Sequence, residues 1–226
     1  TRVAEMIKLL ENTFRSVNIG LVNEIALMCD KMGIDVWEVI EGAATKPFGF
    51  TAFYPGPGLG GHCLPIDPLY LSWKAKIFGF EARFIELAAR VNASMPEHVV
   101  TKIVTALNTR KKCVSGSNIL LLGVAYKKDV SDTRESPAID IVLGLRRMGG
   151  NVSYHDFHVG EFSAGDVSVP KAELTEAVLK KADCVVVVTD HSEYDYASVV
   201  LHADIIVDPR NALKAIRQGR EKIHKL

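Results

Sequence analysis

The residue types best suited to chemistry crowd into one short stretch, PGPGLGGHCLPIDPLYL, from Pro55 to Leu71. A run of glycine and proline delivers His62 and Cys63 to an Asp67-Pro68 pair. Aspartate accepts from the free N–H groups at a helix start and proline has no donor to lose there, so Asp67 and Pro68 read as the N-cap and first residue of a helix. Cys63 then lies just ahead of that helix's positive end, where the thiolate form needed for nucleophilic attack is favoured. The plain alternative is a buried small thiol beside a tight turn, since free cysteine is among the most buried residue types. A second group is Lys8 and Asn12, which at i and i+4 share a helix face with Glu5 beside them. An ammonium and an amide so placed can meet developing negative charge, or they form an ordinary solvated stripe.

The elements that must position these groups follow from periodicity. From Val3 to Met32 the apolar residues Met6, Leu9, Leu10, Phe14, Val17, Leu21, Ile25 and Met28 recur mostly at steps of three and four, predicting one long helix with a buried stripe. Thr1 and Arg2 lead straight into it without an initiating Met, from which we expect missing upstream sequence. Gly33 closes the helix and Asp35 to Ala43 forms a second, short one. From Lys46 to Pro68 periodicity stops, and Gly56, Gly58, Gly60 and Gly61 interleave with Pro55 and Pro57 as a constrained loop of the kind that wraps a ligand. Helical pattern resumes at Leu69 to Phe78 and again from Ala82 to Leu107, with Pro96 expected to kink or break the latter.

After a polar hinge, Asn108 to Ser117, the pattern changes. Asn118 to Ala125 (NILLLGVA) is a short apolar run of the kind buried on both faces of a sheet. A helix from Pro137 to Met148, a strand from Val152 to His155, a helix around Ala172 to Lys181, and strands at Cys184 to Thr189 and Ile205 to Val207 follow. The expected fold class is therefore α/β: an all-helical domain over residues 1–108, then a Rossmann-like parallel domain over 117–226.

Composition narrows the partners. Lys plus Arg and Asp plus Glu balance at 27 each, so no global field exists to hold nucleic acid or an anionic membrane. The four cysteines, Cys29, Cys63, Cys113 and Cys184, are too scattered for a metal site or a stapled scaffold, so we expect reduced thiols and no metal. No stretch approaches the roughly 18 apolar residues of a membrane span, and Thr1 to Leu10 is not a secretory signal. A cytoplasmic protein with a small-molecule partner is expected.

Five ordered motifs, AEMIKLLENT (Ala4–Thr13), NEIALMCDKMGID (Asn23–Asp35), GPGLGGHCLPIDP (Gly56–Pro68), GVAYKKDVSDTRESPAIDI (Gly123–Ile141) and VDPRNAL (Val207–Leu213), resemble the UDP-glucose/GDP-mannose dehydrogenase family over almost the whole chain. His62 before the cysteine, and Ile66 where UDP-glucose enzymes carry Lys, resemble the branch acting on UDP-N-acetylhexosamines, with UDP-N-acetylglucosamine the expected sugar; UDP-glucose, UDP-N-acetylmannosamine and GDP-mannose are the alternatives. The resemblance implies oxidation of the sugar C6 alcohol to a carboxylate with two NAD molecules. Cys63 would hold the aldehyde as a thiohemiacetal and then a thioester. Lys8 and Asn12 match helix residues facing C6, where they would stabilise an oxyanion, and Asp67 matches a carboxylate that orients water. Tyr54, Gly56, Gly58 and Gly60 match the segment lying along the nucleotide sugar, Lys127 and Arg210 match residues contacting it, and Arg134 matches an arginine that reaches NAD. The family further implies a homodimer formed through the helical domain.

One departure bears on activity. The G-x-G-x-x-G fingerprint is absent and Gly123 is the lone glycine after the first strand, so the NAD-binding domain is expected to be missing and the chain to be inactive alone. A non-catalytic module that dimerises through its helical half and binds a nucleotide through the other is the rival from a different class.

Overall fold

The computed structural model describes residues 2–226, which divide into two compact units between Met95 and Pro96. In the first unit, α1 (Arg2–Met32) ends at Gly33, whose φ of +68° suits the left-handed turn that stops a helix. Asp35 caps α2 (Val36–Ala44) by accepting from the Trp37 N–H at 3.0 Å. Val36, Trp37 and Ile40 then bury against Val22, Ala26 and Cys29 of α1.

Most of the stripe expected to be buried on α1 faces outward instead, while its Leu9, Val17 and Ile25 are half-buried. Met6, Leu10, Phe14, Leu21 and Met28 are exposed, with Leu10 at 62% and Leu21 at 54%, whereas Asn12, Ser16, Gly20 and Asn23 are buried. At 100° per residue the two sets fall on opposite faces of one helix. The reason lies in how closely the helices pack. A Cβ on Gly20 would stand 2.9 Å from the Ala88 Cβ and 3.0 Å from its Cα, so nothing larger than glycine fits where the two helices are closest.

A second correction concerns α3 (Cys63–Ile77), which begins five residues before the expected start. Asp67 is not its N-cap and Pro68 is not its first residue; the N-cap is His62, without a side-chain cap bond. Pro68 lies inside the helix and is buried. Starting the helix at Cys63 frees the Asp67 side chain from capping. Likewise α4 (Arg83–Thr109) is not ended by Pro96.

The second unit is a Rossmann-like parallel sheet with helices. Its elements after α4 are β1 (Asn118–Leu122), α5 (Pro137–Arg147), β2 (Asn151–His155), β3 (Phe162–Ala164), β4 (Val167–Val169), α6 (Glu176–Lys181), β5 (Cys184–Val187), α7 (Tyr196–His202), β6 (Ile206–Asp208) and β7 (Ile223–Lys225). The sheet order is β2-β1-β5-β6-β7, parallel at every pairing. Strand β1 is central, with Leu120 beside Ser153 of β2 and Val185 of β5, which explains its nearly continuous apolar run. Leu120, Leu122, Val185, Val187, Val199 and Ile206 form part of one core. The short β3–β4 hairpin, α7 and β7 carry no run or period long enough to be read in advance. No described helix is long and apolar enough to cross a membrane.

Two glycines give opposite expectations. Alanine is worth up to about 1 kcal/mol more than glycine in a helix interior, and Gly42 of α2 has open space where a Cβ would stand. Gly42→Ala should therefore stabilise the protein in urea unfolding. Gly20→Ala should destabilise it by about 1 to 3 kcal/mol through overpacking against Ala88. Gains at both positions would show that α1 and α4 are not tightly apposed.

Candidate active site

In the first unit the structure joins two of the four residues expected to do chemistry. Asn12, 3% exposed, donates through Nδ2 to the Asp67 Oδ2 at 2.7 Å, bridging α1 to α3. Cys63, the exposed first residue of α3, lies one helical turn before Asp67 on the same face. Lys8 lies one turn before Asn12, exposed, with its ammonium 3.3 Å from Glu11. A surface pair of this kind holds its partners weakly, so Lys8 is free to turn towards another anion.

The glycine-rich loop is fixed from beneath by residues that sequence reasoning missed. The completely buried Asn23 accepts from the Gly56 N–H at 3.0 Å and donates to Asn92 Oδ1 at 2.8 Å. Asn92 in turn donates to the Ser16 carbonyl at 3.1 Å. Pro55, Gly56 and Pro57 are buried as a result, while Gly58 and Gly60 are half-buried. Gly58 and Gly61 have φ of +135° and +81°, conformations that favour glycine. Tyr54 stacks on Trp37 with centroids 6.1 Å apart and keeps half its surface open. The available signal was the helical spacing of Asn12, Ser16, Gly20 and Asn23, which marks a polar, close-packed face.

In the second unit the candidate residues lie at the carboxyl edge of the sheet, where the strand order reverses between β1 and β5. Open α/β sheets bind ligands at such switch points. Here the two loops are joined across it. Gly123, at φ +75°, packs so closely that a Cβ would strike the Thr189 carbonyl. Thr189 Oγ1 donates to the Ala125 carbonyl at 2.6 Å, and the Asp129 N–H donates to His191 Nδ1 at 2.9 Å. Beneath them the fully buried Asp156 accepts from the N–H groups of Val124, Ala125, His158 and Val159 and pairs with His191 Nε2 at 3.0 Å. Burial alone would raise the Asp156 pKa, but the bonds from His191, Val124 and His158 hold it well below the ordinary carboxylate range.

Lys127 is exposed, with its ammonium 5.7 Å from the Tyr126 ring centroid. Arg210 is half-buried and donates from Nε to the Val188 carbonyl at 2.9 Å. Burial lowers its pKa, opposed by nearby Asp190 and Asp208. Arg134 grips Asp132, with Nη2 to Oδ2 at 2.6 Å.

Neither a metal nor a dinucleotide suits this edge. Asp129, His158 and His191 bring ligand atoms within 4.8 Å of one another, but both His191 nitrogens already have partners. A dinucleotide pyrophosphate needs a glycine turn running into a helix N-terminus. Here α5 starts far along the chain from β1, and its first free N–H is taken by the Ser136 cap.

Comparisons with known proteins agree across both units. The UDP-glucose/GDP-mannose dehydrogenase family, central domain, matches residues 2–94, and the UDP binding domain of the same family matches 120–215. A UDP-N-acetyl-D-mannosamine dehydrogenase of Methanococcus maripaludis is 36% identical over 222 residues, covering 95% of this chain and 49% of the relative. An NDP-N-acetyl-D-galactosaminuronic acid dehydrogenase of Ralstonia nicotianae is 35% identical over 218 residues, covering 96% and 49%. The solved UDP-D-ManNAc dehydrogenase of Pyrococcus horikoshii superposes with a TM-score of 0.85 at 36% identity, covering 99% of this chain and 51% of that one. The chain thus spans about half the length of the curated relatives it matches.

The buried carboxylate gives a signed pH prediction. A carboxylate whose folded pKa is depressed contributes stability that is full above its unfolded value near 4 and is lost as the pH falls through the folded value. Asp156→Ala should cost about 3 kcal/mol or more at neutral pH by orphaning buried donors. Urea unfolding of both proteins at neutral pH and near pH 3 should show the gap narrowing in acid; a constant gap would assign the loss to packing alone.

Proposed function

The chain belongs to the UDP-glucose/GDP-mannose dehydrogenase family, and from that premise we propose that it is the sugar-handling half of a nucleotide-sugar 6-dehydrogenase acting on UDP-N-acetyl-D-mannosamine. The observation that carries the reading is the Asn12–Asp67 bond, which ties the helix headed by Cys63 to the helix bearing Lys8. The preference for N-acetylglucosamine drawn from His62 and Ile66 gives way to its C2 epimer, because relatives named for N-acetylmannosamine match nearly the whole chain.

In this reading the Cys63 sulfur adds to the C6 aldehyde carbon, and the carbonyl oxygen becomes an oxyanion. Lys8 leaves its weak pair with Glu11 to meet that charge. Asn12 holds the Asp67 carboxylate in place, with one oxygen engaged and the other able to orient the water that releases the acid. The glycine loop offers backbone N–H groups to sugar oxygens because Gly58 and Gly60 present no side chain. Lys127 and Arg210 supply the charge for the UDP diphosphate, Arg by a planar fork and Lys as a point charge. NAD, the family's hydride acceptor, does not fit the residues of this chain, and its domain is expected on the other half of the enzyme.

The outward stripe of α1 fits a second copy of this chain. Ile7, Phe14, Leu21 and Met28 recur every seven residues and Val3 and Leu10 flank them, all exposed, as a helix seam requires. The free state of all four thiols fits the reducing cytoplasm.

Calorimetric titration of the chain with UDP-N-acetylmannosamine, UDP-N-acetylglucosamine, UDP-glucose, GDP-mannose and NAD tests the assignment. UDP-N-acetylmannosamine should bind tightest, and a Lys127→Ala, Arg210→Ala variant should lose at least about tenfold in affinity. Tighter binding of GDP-mannose, or of NAD, would overturn it. Iodoacetamide offers an internal control, because Cys63 and Cys113 are both exposed: the nucleophile should be alkylated faster, and equal rates would count against a catalytic thiol. Sedimentation of Leu10→Glu, Leu21→Glu should show a monomer where the parent chain is a dimer.

A further inference from the structure

The segment after β5, Val188 to Ser192, is bonded to the neighbourhood of both basic residues assigned to the nucleotide. Its first carbonyl, on Val188, accepts from Arg210 Nε at 2.9 Å. Thr189 Oγ1 donates to the Ala125 carbonyl, two residues before Lys127, at 2.6 Å. Two residues after Lys127, the Asp129 N–H donates to His191 Nδ1 at 2.9 Å. The Asp129 carboxylate accepts from the Ser192 N–H at 2.8 Å and from Ser192 Oγ at 2.7 Å. Asp129 sits at φ +58°, a conformation that a residue with a side chain keeps only when its surroundings over-determine it. These bonds do that.

His191 is the buried centre of this joint. Its ring has no exposed surface, and because Nδ1 accepts from Asp129, the proton on Nε2 points to Asp156. Asp156 keeps four backbone donors of its own, so it orients the ring from a fixed position.

We propose that His191, oriented by Asp156, is a positioning residue for the nucleotide diphosphate: it fixes the loop bearing Lys127 relative to Arg210, so that both cations meet one diphosphate. The inference rests on the nucleotide-sugar reading above. His191 touches no ligand atom in this arrangement and acts only through Lys127. The separation of two charges decides how well both engage a small dianion, so loosening one loop weakens binding without removing either charge.

The test is calorimetric titration of the chain with UDP, comparing the parent with His191→Asn, His191→Leu, Asp129→Gly and each of these combined with Lys127→Ala. An Asn amide oxygen can replace Nδ1 as the acceptor for Asp129, so His191→Asn should bind UDP within about threefold of the parent, while His191→Leu weakens it roughly tenfold. Asp129→Gly removes both bonds to Ser192, and glycine tolerates the positive φ; this variant should keep its melting temperature and still lose affinity, which covers the case in which His191→Leu fails to fold. In the Lys127→Ala background the Leu and Gly changes should cost little more, because the interaction they serve is already gone. A parent chain that does not bind UDP overturns the nucleotide reading together with this inference. A parent that binds, with variants that bind equally well or lose affinity additively with Lys127→Ala, overturns the inference alone.

Discussion

Backbone N–H groups left over where regular structure ends must find an acceptor if they are buried, and in each unit one fully buried side chain meets much of that requirement beside the candidate site. In the second unit it is Asp156, whose carboxylate gathers the N–H groups of Val124 and Ala125 after β1 and of His158 and Val159 after β2. In the first it is Asn23, whose amide takes the Gly56 N–H and hands its own hydrogen to Asn92. Both are fully buried, and both hold the start of a segment that carries candidate functional residues. Without such an acceptor a glycine-rich loop would solvate itself and lose its shape.

The same requirement shapes α1. A helix that must bring Asn12 to Asp67 and Asn23 to Gly56 cannot also turn its largest apolar residues inward there, so its inner face carries Asn12, Ser16, Gly20 and Asn23 at helical spacing, with only Val22, Ala26 and Cys29 buried against α2. Gly20 lets α4 approach to backbone contact, and the short reach of an asparagine side chain then suffices to bridge the helices. The apolar residues are displaced to the outer face. Polar specification inside and apolar surface outside are thus two results of one packing decision.

Much of this was legible in the residues. The inner strands β1 and β5 announced themselves because a sheet buried on both faces needs unbroken apolar runs, and the long helices because their periods persist. What failed did so for physical reasons. Apolar periodicity locates a helix but not which face is buried, so five of the eight residues in the apolar period of α1 lie on its exposed face. The Asp67-Pro68 pair carries a strong local capping signal, yet the helix starts at Cys63 with Pro68 inside it, and the Asp67 side chain bonds Asn12 across the helices instead of its own backbone. Asn23 left only the helical spacing it shares with Asn12, Ser16 and Gly20, and His191 left nothing, since its partners are Asp129 and Asp156. Contacts between residues so far apart in sequence leave no spacing to detect. The hairpin β3–β4 has strands of three residues, too short for alternation to register.

The closed switch point explains how a Rossmann-like unit can serve a nucleotide without the dinucleotide turn. In the open form of the fold, phosphates are met by backbone N–H groups where the first strand runs into its helix. Here the N–H groups just past β1 are spent on Asp156, and the helix that follows begins with its own serine cap. On the proposed reading phosphate recognition comes from side chains, and the two cations assigned to it, Lys127 and Arg210, stand on different loops, Arg210 with Asp190 and Asp208 close by. Side chains are floppier than a helix terminus, so their precision has to be imposed from behind. On the inference drawn above, the joint between Val188–Ser192 and the loop around Lys127 supplies it with hydrogen bonds rather than with glycine geometry, so that a chain of zero formal net charge presents a defined pair of positive groups.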